Sequence, residues 1–499
     1  MAIPAETFFL PPGRELSLQQ QIQQMVAEAI VGGRCLPGEK MPSSRRLAEH
    51  LGVARITVTS AYNELVANEY LVARSRSGFF VAETAPAAHS YPAPPVPSAA
   101  QADWSRLIGH RFSDADPPIL RPGNWRDYRY PFIYGQSDGR LFDHRNWRAC
   151  ALRAVGRRDF DTLASDHYER DDPMLVEFIL RHILPRRGIV ARPSEILVTM
   201  GGQHALWMTA QILLTQRRKA VMENPCYPGL RQILAQNRCK THMVDVDRLG
   251  LSPEAIPGDA DVVFVTPSHH APTNATMPLH RRQALLERAA RDGFVVVEDD
   301  YEFEMALFTA PSPSLKSLDR SGSVIYLGSF SKSIFPGLRL GYMVAPEPMI
   351  REARALRTLV VRHPPSHVQR TTAYFLSLGH FDAQIARMIR VYRKRRRIME
   401  QALAAHGLIA ADQQNAGGSS FWLRAPEGVD STDLAVRLRR DSVLIEPGGA
   451  FFAAGADPAR YYRLAYSSIE ADRIGEGIAL LARGIRTMQQ EQGGGPGAG

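Results

Sequence analysis

Five short segments limit what this chain can become: EILVTM (195–200), KAVMEN (219–224), DVVFVTP (261–267), FVVVEDD (294–300) and SVIYLGS (323–329). Each is rich in β-branched residues and apolar on both faces, so each needs cover from two sides. Longer helical patterns such as HALWMTAQILLTQ and LHRRQALLERAARDG lie between several of them. Buried strands separated by helices predict an α/β fold with a mainly parallel sheet. Function is then expected in the loops at the C-terminal ends of the strands.

The 499 residues exceed what one core usually supports, so more than one domain is expected. Residues 83–103, ETAPAAHSYPAPPVPSAAQAD, are mostly Ala, Pro and Ser without apolar periodicity and predict a semi-extended linker. The boundaries read as an N-terminal domain over 13–82, a linker over 83–125, a large domain over 126–488 and a disordered glycine-rich tail over 489–499. No apolar run reaches the roughly 18 residues of a membrane span. The start, MAIPAETFFLPPGRE, lacks a signal peptide's basic region and long apolar core. Cys35, Cys150, Cys226 and Cys239 are scattered without metal-ligand spacing, which predicts reduced thiols in a cytoplasmic protein and no metal site.

In the N-terminal block, Leu18, Ile22, Met25, Val26, Ala29 and Ile30 form a helical stripe that Gly32 and Gly33 end. The segment SSRRLAEHLGVARITVTSAYNELVANEYL predicts helix, turn at Gly52, helix, with Ser43 or Ser44 as cap. VARSRSGFFVA, through Arg74, Arg76 and Gly78, predicts a β-hairpin wing. A recognition helix presents short polar and forked basic side chains near its N-terminus to base edges and phosphates. Arg55, Thr57 and Thr59 occupy that position. Arg45 and Arg46 begin the preceding helix, where phosphates would lie, and Gly78 lies in the wing. Eight basic residues against six acidic ones over 14–82 decide nothing by charge; the spacing carries the prediction. The block resembles the winged helix-turn-helix of GntR-type bacterial regulators.

In the large block one amine stands out. Only six of the 60 basic residues are lysines, and one of them, Lys332, lies in YLGSFSKSIFPGLRLGY (326–342). Schiff-base formation needs an amine in a partly desolvated pocket beside a site for a phosphate dianion. Ser329 and Ser331 supply hydroxyls, Arg339 a forked donor, and Gly337 and Gly341 allow close backbone approach. Upstream, Asp299, Asp300 and Tyr301 end a buried strand, where a carboxylate needs a cationic partner. TMGGQHALW places Gly201, Gly202 and Gln203 at a helix N-terminus, an anion site. ENPCYPG places Tyr227 where an aromatic ring could stack. The run RVYRKRRR (390–397) lies mid-helix and reads as a solvated face.

These segments, in this order, resemble fold-type I aminotransferases, which are pyridoxal-phosphate enzymes. The resemblance implies Lys332 as the Schiff-base lysine, Asp299 at the pyridine nitrogen, Tyr301 at the ring hydroxyl and Tyr227 as the stacking aromatic. It implies Gly201, Gly202, Gln203, Ser329, Ser331 and Arg339 around the phosphate, and Arg463 of YYRLAYS as the effector-carboxylate arginine. One departure is PSHHAPTNATM, where Ala271 precedes the proline and Asn274 is displaced; aminotransferases carry Asn-Pro there. A winged helix joined by a proline-rich linker to such a domain resembles the MocR/GabR regulators, a GntR subfamily. The resemblance implies a head-to-tail homodimer that binds operator DNA. It also implies an amine or amino acid effector, such as γ-aminobutyrate, taurine or an ectoine derivative, sensed through pyridoxal phosphate. The domain would then serve sensing and not enzymatic turnover, with residual half-transamination allowed. The rival reading is a working aminotransferase with an appended DNA-binding domain.

Overall fold

The computed structural model describes residues 2–10, 16–86, 103–109, 111–112, 121–136, 138–307, 312–408, 417–453 and 458–493. The chain divides into two compact units, Met1–His110 and Arg111–Gly499. Most of the predicted linker, including 87–102 and 113–120, lies outside the described residues, as does 494–499.

Helix α1 (Leu18–Val31) starts at a capping box in which Ser17 and Gln20 satisfy each other's backbone N–H. It buries Ile22, Val26, Ala29 and Ile30. Helix α2 (Ser44–Leu51) is capped by Ser43, whose Oγ accepts from the Arg46 N–H at 3.2 Å. It ends at Gly52 with φ 67°, a left-handed turn that favours glycine. Helix α3 (Arg55–Ala67) buries Val58, Ala61, Tyr62 and Leu65, and the Tyr62 hydroxyl donates to the Pro42 carbonyl at 3.1 Å. Strands β1 (Leu71–Arg74) and β2 (Gly78–Val81) pair antiparallel, with Leu71 opposite Val81 and Arg74 opposite Gly78. The expected start at residue 13 needs correction. Ile3, Ala5 and Phe8 are buried in the same apolar cluster as α1 and α3, and the Ile3 N–H donates to the Lys40 carbonyl at 2.8 Å. Their spacing is too short to register as a helix or strand, yet they cover the open side of the bundle.

In the large unit the strands among the described residues are β3 (Tyr130–Pro131), β4 (Ile196–Thr199), β5 (Lys219–Asn224), β6 (Lys240–Asp247), β7 (Gly250–Leu251), β8 (Val262–Val265), β9 (Val295–Asp300), β10 (Val324–Ser329), β11 (Gly341–Val344), β12 (Ser420–Arg424), β13 (Val443–Leu444), β14 (Glu446–Pro447) and β15 (Tyr461–Ala465). Eight form one sheet in the order β4-β11-β10-β9-β8-β5-β6-β7. The run β10-β9-β8-β5-β6 is parallel throughout. Strand β11 lies antiparallel between β10 and β4, and β7 closes the far edge antiparallel. The five predicted segments are β4, β5, β8, β9 and β10, with side chains buried along most of their length. Helices Gly202–Leu213 and Leu279–Asp292 supply cover where the sequence placed them. A smaller sheet, β12-β15-β14, lies C-terminal in the chain.

Two expectations fail. Within helix His380–Ala405 the arginine run is not wholly a solvated face, because Arg395 and Arg396 are buried. Arg395 is paired with Asp138 and donates to the Ser467 carbonyl at 2.7 Å; Arg396 donates to the Gly417 carbonyl at 2.8 Å. The last helix runs Ile474–Gly493, past the predicted tail start at 489. Met488 is buried there, and Glu491 pairs with Arg437 at 2.6 Å, which holds the final turns.

Because Phe8 fills the core of the N-terminal unit, Phe8→Ala is expected to destabilise that unit by about 3 kcal/mol. Hydrogen exchange on the full chain reads this as faster exchange of the α1 and α3 amides, with the β9 and β10 amides unaffected.

Candidate functional sites

Parallel strands bring their C-terminal ends to one edge of the sheet, and the two-residue period of a strand sends Asp299 and Asp300 to opposite faces. Asp300 is buried and accepts from Arg187 Nε at 2.7 Å and from the Tyr326 hydroxyl at 2.9 Å. Arg187 is itself only 2% exposed and spends its other donors on Ser268 and the Ser312 carbonyl. That pair is structural. Asp299 faces a cavity of about 370 Å³ and makes no protein hydrogen bond among the described residues. Burial pushes its carboxyl up to about 7, with Asp300 adding to the shift and Lys332 opposing it. A carboxylate in that position is stabilised by a cation.

Lys332 lines the same cavity from the β10–β11 connection. Burial lowers its ammonium to about 8, against the opposing pull of the Glu302 and Glu446 carboxylates. Its Nζ lies 4.0 Å from the centre of the Tyr134 ring. Gly135, at φ 76°, makes room for it: a Cβ there would stand 2.5 Å from Nζ. Tyr134 in turn donates its hydroxyl to Glu302 at 2.7 Å, and Glu302 also accepts from Ser419 at 2.6 Å.

Gly202, Gln203, Ser329, Ser331 and Arg339 line the cavity together with Tyr227. Gly202 opens the helix Gly202–Leu213, so its first amides are free to meet an anion. Arg339 adopts φ 51° and donates to the Met200 carbonyl at 3.2 Å. Gly201, at φ 85°, does not line the cavity but shapes it, since a Cβ there would lie 3.2 Å from Arg339 Nη2. The Tyr227 hydroxyl donates to Gln203 Oε1 at 3.3 Å. Tyr301 lines the cavity with its hydroxyl already donated to the His269 carbonyl at 2.8 Å.

Arg463 is buried, with its guanidinium carbon 4.1 Å from the Tyr134 ring centre and 4.6 Å from that of Phe451. Its Nε donates to Glu446 at 2.8 Å. Arg121, Tyr134, Gly135, Glu446 and Phe451 are residues that the sequence did not single out. The usable signal was the Tyr-Gly pair directly after the apolar PFI; Arg121 and Glu446 carry no local pattern.

In the N-terminal unit the predicted residues gather around the start of α3. Arg45, Arg46 and Arg55 are exposed, and Thr57 and Thr59 half-buried. Arg55 Nε reaches Ser44 Oγ at 3.4 Å, Thr59 donates to the Arg55 carbonyl, and Arg46 pairs with Glu6 at 3.6 Å. Gly78 is exposed at φ 102° where β2 begins, and Arg74 stacks on Phe80 at 4.4 Å.

Residues 18–81 match the model of bacterial regulatory proteins of the gntR family, and residues 175–476 that of aminotransferase class I and II. The chain is 56% identical to the HTH-type transcriptional regulator TauR of Rhodobacter capsulatus, over 97% of this chain and 100% of that protein. It is 30% identical to the probable rhizopine catabolism regulatory protein MocR of Rhizobium meliloti, over 95% of each. This chain belongs to the MocR-type transcriptional regulators. Among solved structures, this regulator resembles Pyrococcus horikoshii kynurenine aminotransferase in complex with PMP: TM-score 0.67, 26% identity, 74% of this chain and 95% of that one. It equally resembles Thermus thermophilus alpha-aminoadipate aminotransferase complexed with N-(5'-phosphopyridoxyl)-L-leucine: TM-score 0.67, 27% identity, 75% and 97% covered.

In this MocR-type regulator Ala271, at the position where the resemblance to aminotransferases implies an asparagine, lines the cavity. Asn274 is buried elsewhere, donating to the Ser420 carbonyl at 2.7 Å and to Ser420 Oγ at 3.1 Å. Its amide ties the loop to β12.

With its ammonium lowered to about 8, Lys332 is neutral above that pH, whereas an ordinary lysine is neutral only above about 10.4. In cofactor-stripped protein, pulse labelling with an amine-reactive reagent is expected to show half-maximal modification of Lys332 near pH 8. Half-maximal modification only near the ordinary lysine value of about 10.4 would contradict the desolvated pocket.

Proposed function

We propose that this regulator senses an amine or amino acid in the Lys332 cavity through pyridoxal 5'-phosphate and couples that binding to occupancy of operator DNA. The observation that carries the reading is the convergence, in one cavity, of a desolvated amine, a carboxylate lacking a cation and an anion-binding helix start with Arg339. This donor set fits an aldehyde-bearing pyridine phosphate. Lys332 would hold the aldehyde carbon, Asp299 the pyridine nitrogen, and Gly202, Gln203, Ser329, Ser331 and Arg339 the phosphate. Tyr227 would cover the ring, and Tyr301, whose hydroxyl proton is committed to the His269 carbonyl, would accept at the ring hydroxyl. The two solved neighbours, described with PMP and a phosphopyridoxyl amino acid, support the same group. When bound, pyridoxal phosphate supplies a carbonyl carbon that condenses reversibly with amines.

The chain's own residues do the rest. Neutral Lys332, abundant above pH 8, is the nucleophile for that carbon. Tyr134 and Gly135 hold its Nζ in place, and Glu302, shared with Tyr134 and Ser419, balances positive charge nearby. Arg463 offers its Nη donors to the effector's acid group. An effector changes DNA binding only by the difference in its affinity for the two states of the protein. The reading includes a cytoplasmic homodimer paired head to tail, in which Arg55, Thr57 and Thr59 read bases while Arg45, Arg46 and the Gly78 wing meet the backbone. Effectors with an amine and an acid group, among them γ-aminobutyrate, taurine and ectoine derivatives, suit the cavity's charges. The domain then serves sensing. Ala271, which removes an asparagine from the cavity, weighs against a working aminotransferase, while half-transamination stays compatible with the donor set.

Two outcomes test the reading. Lys332→Ala is expected to abolish the borohydride-sensitive visible absorbance of the purified protein and the effector's influence on transcription; retention of both would sink the mechanism. Arg55→Ala is expected to weaken operator binding by about 1–3 kcal/mol, roughly 5- to 150-fold, in a gel-shift titration at fixed salt. A working enzyme would instead give repeated turnover with an amino donor and a 2-oxo acid.

A further inference from the structure

Ile56 is 71% exposed in the first turn of α3, between Arg55 and Thr57. Exposure by itself decides nothing, since Phe9 and Leu36 of the same unit are exposed too. Direction is what sets Ile56 apart. The core face of α3 is Val58, Ala61, Tyr62 and Leu65. At about 100° per residue, Ile56 projects roughly 170° from the middle of that face. Ser60 and Asn63 follow it at i+4 and i+7, so the three form the outermost ridge of the helix. Ile56 is the apolar tip of that ridge, at the end a recognition helix presents to base edges.

The polar groups around it are partly committed. The Thr59 hydroxyl donates to the Arg55 carbonyl at 3.0 Å, so it can accept from a base but has no proton left to give. Arg55 Nε reaches back to Ser44 Oγ at 3.4 Å, which draws its side chain toward α2 and away from the ridge line. The first turn is also open in front. Ala54 at the N-cap offers no side-chain acceptor, whereas Ser17 caps α1 and Ser43 caps α2. A small residue there lets another molecule come close to Ile56.

We infer that Ile56 is a specificity-determining contact that reads the C5-methyl group of a thymine in the operator's major groove. The inference rests on the operator-binding reading above. In that groove thymine alone presents a methyl group; adenine, guanine and cytosine present donors and acceptors. Ile56 has neither, so it gains by burying the methyl and loses wherever it would cover a polar base edge that water satisfies. Its β-branched side chain is already restricted in a helix, so little freedom is lost on contact.

The probe is DNA selected from a randomised duplex library by the full-length protein. Each thymine of the selected sequence is replaced in turn by deoxyuridine, which lacks only the C5-methyl group. In gel-shift titrations at fixed salt, one such replacement is expected to weaken wild-type binding about fourfold, the worth of one buried methyl group. Ile56→Ala is expected to lose about fourfold on the thymine duplex and less than about twofold on that uracil duplex, which couples the methyl to this side chain. Ile56 lies outside the core, so alanine there leaves the buried face of α3 intact, and the uracil series needs no variant at all. The proposal is overturned if wild-type protein tolerates uracil at every thymine, or if Ile56→Ala loses equally on the two duplexes. A library that yields no enriched sequence would overturn the operator-binding reading and the proposal with it.

Discussion

The large unit depends on how it disposes of two adjacent acids at the end of β9. Asp300 turns inward and meets Arg187 and Tyr326, so a carboxylate that would be costly in an apolar interior is compensated on the spot. Arg187 in turn ties β9 to the Ser268 loop and to the Ser312 carbonyl, so the floor of the cavity is cross-braced. Removing either partner would leave an unpaired buried charge, an error of several kcal/mol. With Asp300 paired below, Asp299 is the acid left facing the cavity, and burial, then the Asp300 charge, holds its carboxyl up against the pull of Lys332.

A second balance is struck around Tyr134. Its ring contacts both Lys332 and Arg463, its carbonyl accepts from Arg121, and its hydroxyl donates to Glu302. Three cations and two carboxylates, Glu302 and Glu446, are thereby organised through one residue from the segment just after β3. Lys332 loses affinity for its proton because burial outweighs the two acids. The cavity combines an amine ready to react with a standing positive charge beside it.

Much of this was legible in the sequence because it is written in local pattern. The five central strands announced themselves by being apolar on both faces, and the winged helix by the spacing of Ser43, Gly52, Arg55 and Gly78. Lys332, Asp299 and Arg339 stood out because each follows a buried strand or a glycine-rich turn. What escaped was set by tertiary contact. Strand β6 is largely exposed along KTHMVDVD, and β11 is four residues masked by glycine-rich surroundings. Arg121 and Glu446 are 325 positions apart and have meaning only as a pair. Arg395 and Arg396 read as solvent-facing because charge in a helix usually is; carbonyls and Asp138 at the helix's buried side reverse that. Ile3, Ala5 and Phe8 precede any periodic element, so nothing in the pattern assigned them to a core.

The Lys332 connection is closed at both ends by paired strands, Ser329 opposite Gly341 and Tyr326 opposite Val344. Any Cβ at Gly341 would collide with the Gly328 carbonyl and the Gly201 backbone, so these strands are locked at their closest approach. A loop pinned in this way makes a poor lever. The groups facing Lys332 from the other side, Arg463 on β15 and Glu446 on β14, belong to a separate three-stranded sheet. Mechanically, the lysine sits on a stator: its place is set by the closed strand pair, whatever the cavity holds.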